Sequence, residues 1–337
     1  MNLSNYFKKI STKILLLLFS ALTTVPIFCH AQDADDHPKN STQNPAPTIA
    51  ITQIVDHPSL NLAREGVTDI IKKQIPNAKF IYDNAQGNVA TSVQIGKKFA
   101  SLNPDVIVAI STPSAQTAMS ATVRSQIPIV FVSVTSPIEA KLVSNLQKPG
   151  DRVTGSTDAP PYAKQVELIK TLLPKAKTIG VLYNPGEVNS VDMVKNFQEE
   201  AKDYKILTAS TPTTNEVAGA LRSLIGKIDV LYIPMDNTVV SAYEVVGKIA
   251  ADQKLPIIAS DPDTVKRGAL AAIGYNHYNV GQISGQQVLE ILGGKKAGDI
   301  PVTAPTTYEL TLNMKTAKVL DITVTPELLQ QVDELVD

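Results

Sequence analysis

The sequence predicts an α/β protein built from two doubly wound, Rossmann-like lobes joined by a hinge that the chain crosses more than once. Three observations predict it. Short apolar runs rich in Val and Ile alternate with longer amphipathic stretches from residue 48 onward. The pattern then restarts near residue 178 with similar landmarks. Further elements follow the second set, so the chain does not end as a simple tandem repeat.

Continuous β-branched runs separated by helices read as parallel strands buried on both faces. In the first half the strands are Thr48–Ile54, Lys79–Tyr82, Asp105–Ile110 and Pro128–Ser133. Helices are expected over Pro58–Gln74, Val89–Leu102 and Pro113–Val123. In the second half the strands are Thr178–Tyr183, Tyr204–Leu207, Asp229–Ile233 and Leu255–Ala259. Helices are expected near Val188–Lys202, Thr213–Ile225 and Val239–Ala251. Thr48 pairs with Thr178, Asp105 with Asp229 and Pro128 with Pro256, at offsets of 124 to 130 residues. Three matches in one order point to an internal duplication.

The tail adds a strand at Gly268–Gly274, a helix over Tyr278–Leu292 stopped by Gly293 and Gly294, a strand at Thr307–Leu312 and a last helix over Pro326–Val336. These elements predict a first lobe of 48–158 plus about 274–306, and a second of 159–273 plus about 307–337. A chain that crosses repeatedly between lobes makes a hinge.

The N-terminus reads as an export signal. Lys8, Lys9 and Lys13 form a basic region, and Ile14–Phe28 an apolar one too short and too interrupted to span a bilayer. Small residues precede a cut after Ala31, giving residues 1–31 as signal peptide and a periplasmic or secreted mature chain. Lipidation at Cys29 is the alternative, and the bulky Phe28 before it argues for cleavage. Residues 32–47 are polar and Pro-rich and read as a disordered leader.

Removing residues 1–31 takes three lysines, no acid and the one cysteine, leaving a net charge of −4 and no disulfide. With no basic block, 5% aromatics and no Trp, nucleic acid is not an expected partner. The mature histidines, His37, His57 and His277, are scattered. No phosphate-loop, nucleophile-elbow or zinc motif is present, so no catalytic residue, metal or cofactor is expected.

Ligands in open parallel sheets bind beyond the carboxyl ends of the strands. The loops there supply the candidates. Gln53 ends the first strand. Ser111-Thr112-Pro113-Ser114-Ala115 ends the third and reads as a helix cap with Pro in the first turn. Its hydroxyls and free N–H groups suit a carboxylate or phosphate, although taken alone a plain helix cap explains them better. The matching loop of the second half, Asp236-Asn237-Thr238, offers a carboxylate and an amide, for a ligand cation or for capping a helix. Together the two loops suit a zwitterion such as an amino acid. Thr135, Asn184 and Asp261 end other strands. Tyr183 reads equally as a stacking wall or a core tyrosine. Asp158, where the chain leaves the first lobe, reads equally as a hinge residue or a ligand contact.

The segments IAITQIVDHPSL, ISTPSAQTA, TIGVLYNPGEVNS, IPMDNTVVSA and IIASDPDTVKRGALAAIGYNHYNVGQ resemble motifs of ABC-transporter substrate-binding proteins of the tryptophan/tyrosine-uptake type. The resemblance covers about 48–335. It implies a type I periplasmic binding protein fold with three hinge crossings, and an aromatic amino acid ligand: tryptophan, phenylalanine or tyrosine. It also implies a permease and an ATPase as partners, with the binding protein itself a monomer. Carried across by motif, Ser111–Gln116 would hold the carboxylate and Asp236 the amino group. The chain departs from the family at Gly274–His277, where members often carry an Asp. A sensor subunit of the same fold, reporting to a membrane receptor, is the alternative, and a secreted enzyme is disfavoured by the lack of a reactive cluster.

Overall fold

A computed structural model describes residues 45–337. The signal segment, Cys29 and the leader as far as residue 44 lie outside the described residues.

The first sheet is wholly parallel. It is built from β1 (Thr48–Gln53), β2 (Lys79–Asn84), β3 (Val106–Ile110), β4 (Ile129–Val132) and β5 (Val153–Gly155), in the order β2-β1-β3-β4-β5. The helices α1 (Pro58–Gln74), α2 (Val89–Leu102) and α3 (Thr112–Ala121) connect its strands. Every side chain of β3 and β4 is buried, while the edge strand β2 is partly exposed along its length. Burial on both faces is why the central strands read as continuous apolar runs.

The chain then passes through α4 (Tyr162–Leu172) into a second sheet. Its first part comprises β6 (Thr178–Tyr183), β7 (Lys205–Ser210), β8 (Val230–Ile233), β9 (Ile257–Ala259) and β10 (Ala271–Gly274). Between these strands lie α5 (Val188–Glu200), α6 (Val217–Leu224), α7 (Asn237–Ser241), α8 (Tyr243–Asp252) and α9 (Asp263–Lys266). After β10, α10 (His277–Leu292) returns to the first lobe and packs along α1. The chain crosses again to β11 (Glu309–Asn313), α11 (Met314–Val319), α12 (Pro326–Leu329) and β12 (Glu334–Val336). The second sheet runs β12-β11-β10-β9-β8-β6-β7, with β11 antiparallel to β10.

The repeated landmarks occupy equivalent places. The order β2-β1-β3-β4 is matched by β7-β6-β8-β9. The Asp105 carboxylate accepts from the Thr48 N–H at 2.7 Å, and the Asp229 carboxylate from the Thr178 N–H at 2.8 Å. Pro128 accepts from Ile107 N–H at 3.0 Å, and Pro256 from Leu231 N–H at 2.9 Å. Each aspartate pins the start of its lobe's first strand to the adjacent one.

Close glycine contacts seat α10 on α1. A Cβ at Gly281 would lie 2.0 Å from the Ala63 carbonyl oxygen, and one at Gly66 would lie 2.1 Å from that of Tyr278. The crossings are also tied to each other. Ser156 bridges to Thr303, and the Tyr275 and Tyr308 rings meet with centroids 4.5 Å apart.

Several expected elements differ. The last helix is a single turn, because Asp333 pairs with Leu310 through both its N–H and its carboxylate and draws the chain onto the sheet edge as β12. The helix expected over Val239–Ala251 breaks at Ala242 into α7 and α8. The elements β5, α9 and α11 are too short for a clear sequence period, whereas α4, unassigned in the sequence reading, has one, with Gln165, Leu168, Ile169 and Leu172 buried.

Candidate functional site

The carboxyl ends of the two sheets face each other, and side chains from both lobes meet there directly. Ser111 Oγ, after β3, donates to Asn237 Oδ1, after β8, at 3.1 Å. Ser59 Oγ, in the first turn of α1, donates to Asp261 Oδ2, after β9. Ser136 Oγ, beyond β4, donates to Asp192 of α5. His277 Nε2, at the start of α10, lies 3.9 Å from Asp261 Oδ1. The lobes are therefore closed on one another.

On the first lobe, α3 begins at the cleft. Ser111 stands at the cap position with φ +79°, in the left-handed region. Its hydroxyl does not cap the helix, contrary to the plain-cap reading, because it reaches across to Asn237. Thr112 and Ser114 are buried, and Ser114 Oγ has no hydrogen-bond partner among the described residues. Ser133, at the end of the adjacent strand, also has positive φ and a buried, unpartnered Oγ. Ala115 is committed, its N–H donating to Ser111 O at 3.1 Å. Two orphaned hydroxyls beside a helix N-terminus are free donors of the kind that an anion requires.

The second lobe presents carboxylates. Asp236 is fully buried, and each oxygen accepts a backbone N–H: Oδ1 from Val239 at 2.8 Å, Oδ2 from Asn184 at 2.6 Å. It caps α7 and ties that helix to the β6 loop. Burial raises its pKa, opposed by the Ser190 hydroxyl and these N–H groups. Asn184 Nδ2 donates to Thr238 Oγ1 at 2.9 Å, so this pair braces the same corner. Glu187, unforeseen in the sequence, lies beside them. Its Oε2 accepts from Asn237 Nδ2 and Asn189 Nδ2. Burial, and then the Asp236 charge, push its pKa up to about 8.

The remaining expected residues divide. Gln53 is buried and spent on its own lobe: its Oε1 accepts from Arg64 at 2.7 Å and its Nε2 donates to Asn61 at 2.8 Å. Tyr183 is half-buried and packs with the core of the second lobe. Thr135 Oγ1 donates to Asp158 Oδ1 at 3.0 Å, and both are buried. Burial raises the Asp158 pKa, with His277 pulling it back. Asp261 joins the lobes through Ser59 and also accepts from Asp263 N–H at 3.0 Å. His57, a lone loop histidine in the sequence, is buried near Asn237, and its Nδ1 has no hydrogen-bond partner among the described residues. Burial lowers its pKa to about 4, against the pull of Asp261.

Sequence reasoning missed Glu187, Asn189, Ser59 and His277. Glu187 stands in a Pro-Gly turn ahead of a helix, where an exposed acid is the ordinary expectation; its one signal is its place after β6, opposite the Ser111 loop. Among the described residues no group of His, Cys, Asp and Glu is arranged to hold a metal, and no helix is long and apolar enough to cross a membrane.

Two Rossmann-like lobes, three crossings and a closed polar cleft define a type I periplasmic binding fold, a class of ligand-binding proteins. The profile described as "ABC transporter substrate binding protein" matches residues 48–336, and the chain belongs to that family. It is 42% identical over 323 residues to a tyrosine-binding protein of Clostridioides difficile (strain R20291), covering 93% of each chain. It resembles the ABC domain in complex with L-Trp from Streptococcus pneumonia with TM-score 0.83 and 33% identity, over 86% of this chain and all of that one. It also resembles the ligand-free, open structure of a substrate-binding protein with adhesive properties from Clostridium difficile, with TM-score 0.65 and 39% identity, over 86% of this chain and 99% of that one. The open structure is nearer in sequence yet further in shape, as expected for a chain whose lobes are closed.

Proposed function

We propose that this protein captures an aromatic amino acid, tyrosine or tryptophan in the first place, between its lobes and delivers it outside the cytoplasm to the permease and ATPase of an ABC importer. The observation that carries the reading is the opposition of two unlike faces. The start of α3, with the unpartnered hydroxyls of Ser114 and Ser133, suits a carboxylate. The acidic corner at Asp236 and Glu187 suits an ammonium. A ligand carrying both groups bridges the lobes and selects the closed state, because that state alone makes both sets of contacts. The tyrosine-binding relative and the L-Trp complex support an aromatic side chain. Domain boundaries near 158, 274 and 306, a monomeric state and cleavage after Ala31 belong to the same reading.

The test is calorimetry of the mature protein, stripped of co-purified ligand, against the twenty amino acids. Micromolar or tighter binding of tyrosine or tryptophan is expected. Binding of none of the aromatic amino acids would overturn the ligand assignment.

A further inference from the structure

We propose that Glu187 receives the ligand's ammonium, and that in the empty cleft it holds the proton which the ammonium displaces. This rests on the amino acid reading above and names the acceptor within it. Asp236, the acid that the sequence singles out, is less suited to the task. It is fully buried, and both its oxygens already accept backbone N–H groups within 2.8 Å. Glu187 is 8% exposed and its two oxygens differ. Oε2 takes both amide donors, from Asn237 and Asn189, while Oε1 makes no hydrogen bond to any described residue. Beside it Asn189 Oδ1 is buried and unpartnered as well. Two acceptor oxygens without donors, on side chains that hydrogen-bond to each other, call for a ligand group with several N–H bonds, which an ammonium has and a carboxylate lacks.

The charges around the pair explain the proton. Among the described residues no lysine or arginine is hydrogen-bonded to Glu187 or Asp236. The titratable and charged groups facing this corner are His57, near Asn237 from the first lobe, and beyond it Asp261, His277 and Arg267, whose guanidinium pairs with Glu244. Asp192 follows on α5 itself, paired with Ser136. His57 stays neutral above about pH 5, because burial holds its pKa near 4. Two buried carboxylates without a cation cannot both carry charge cheaply, so one keeps its proton. Asp236, stabilised as an anion by its two N–H donors, leaves that proton to Glu187. When the ligand enters, the neutral acid gives its proton to the buffer, and the carboxylate formed accepts N–H bonds from the ammonium at Oε1. One positive charge replaces another, and the site stays balanced.

The experiment is titration of the mature protein with L-tryptophan at pH 6.5, in buffers of different ionisation enthalpy. Release of about one proton per ligand is expected, and affinity that strengthens about tenfold per pH unit below the Glu187 midpoint. Indole-3-propionate, which lacks the amine, should release almost none. Binding of L-tryptophan without proton release would overturn the proposal, as would equal release by both compounds. In Glu187→Gln the release should vanish and affinity become flat from about pH 6 to 8; undiminished release would transfer the proton to another acid, Asp158 first. If that variant does not bind, the wild-type protein still decides. The side-chain carboxyl carbon of Glu187, labelled with ¹³C and assigned by its loss in the variant, should titrate near pH 8 in the empty protein. Titration in the ordinary carboxylate range would overturn the proposal. If no aromatic amino acid binds at all, the ligand reading fails, while this titration still decides where the proton sits.

Discussion

Ser59→Ala separates lobe closure from ligand contact. Ser59 and Asp261 lie 202 positions apart, one in each lobe, and both are buried, at 0% and 1% exposure. Deleting the hydroxyl removes a donor from a buried carboxylate oxygen. A hydrogen bond to a charged group contributes about 1.5–3 kcal/mol, and an orphaned buried acceptor costs a similar amount. In an open form water replaces the lost donor, so the penalty falls on the closed form alone. The closed-to-open ratio then drops about 10- to 100-fold. Where the free protein rests mainly open, the dissociation constant rises by the same factor for every ligand. The change should sit mostly in the off-rate. Calorimetry and stopped-flow kinetics with L-tryptophan and L-tyrosine measure it, and small-angle scattering of the liganded protein reports closure. A dissociation constant within twofold of wild type would refute the latch. A loss for one ligand and not the other would make Ser59 a contact residue instead.

Three further outcomes follow from the packing and the buried charges. Gly281→Ala forces a methyl group to within 2.0 Å of the Ala63 carbonyl, so α10 must lift from α1; urea unfolding should show a loss of about 3 kcal/mol, whereas Gly219→Ala, with open space around it, should show none. Asp229→Ala removes an acceptor for two N–H groups, those of Lys177 and Thr178, where Asp105→Ala removes one; with each exposed bond at about 0.5–1 kcal/mol, the first variant should melt lower than the second. His57, with its pKa lowered from 6.5 to about 4, stays neutral in the fold while the unfolded chain takes a proton. The unfolded state then binds more protons between these values, so stability falls as pH drops through about 6.5 toward 4. His57→Gln should regain about 1–3 kcal/mol relative to wild type between pH 7 and 4.5. Glu187 acts in the opposite sense, its share being full below about pH 4.5 and lost as pH rises through about 8; the two windows overlap, so the histidine effect is read from the difference between His57→Gln and wild type.

Much of the scaffold was legible because its determinants are local. The spans Pro58–Gln74, Val89–Leu102 and Thr178–Tyr183 occur as read, since Pro, Asn and Gly mark their ends and apolar period marks their type. Elements of three or four residues, such as β5 and α9, offer too few positions for any period. At the cleft, the Ser111 and Asp236 loops stand where strand order requires. Which of their alternatives holds was not legible: Ser111, read as a helix cap or an anion contact, reaches across the cleft, and Asp236, read as a ligand contact or a helix cap, caps α7. Gln53, polar at a strand end, turns toward Arg64, because α1 brings that guanidinium back over it.

By itself the sequence determined that the chain forms two sheets with similar parallel cores and that their facing loops are polar. That follows from burial patterns running along a few consecutive residues and repeating in the second half. The tertiary structure alone decided that Glu187 is buried beside Asp236, that β12 displaces an expected helix, and that Ser59, Ser111 and Ser136 bond to partners 202, 126 and 56 positions away. The physical reason is common to all three. Whether a carboxyl keeps its proton, or a hydroxyl caps its own helix, depends on the water removed and the partners supplied by segments far along the chain. No local window contains that information.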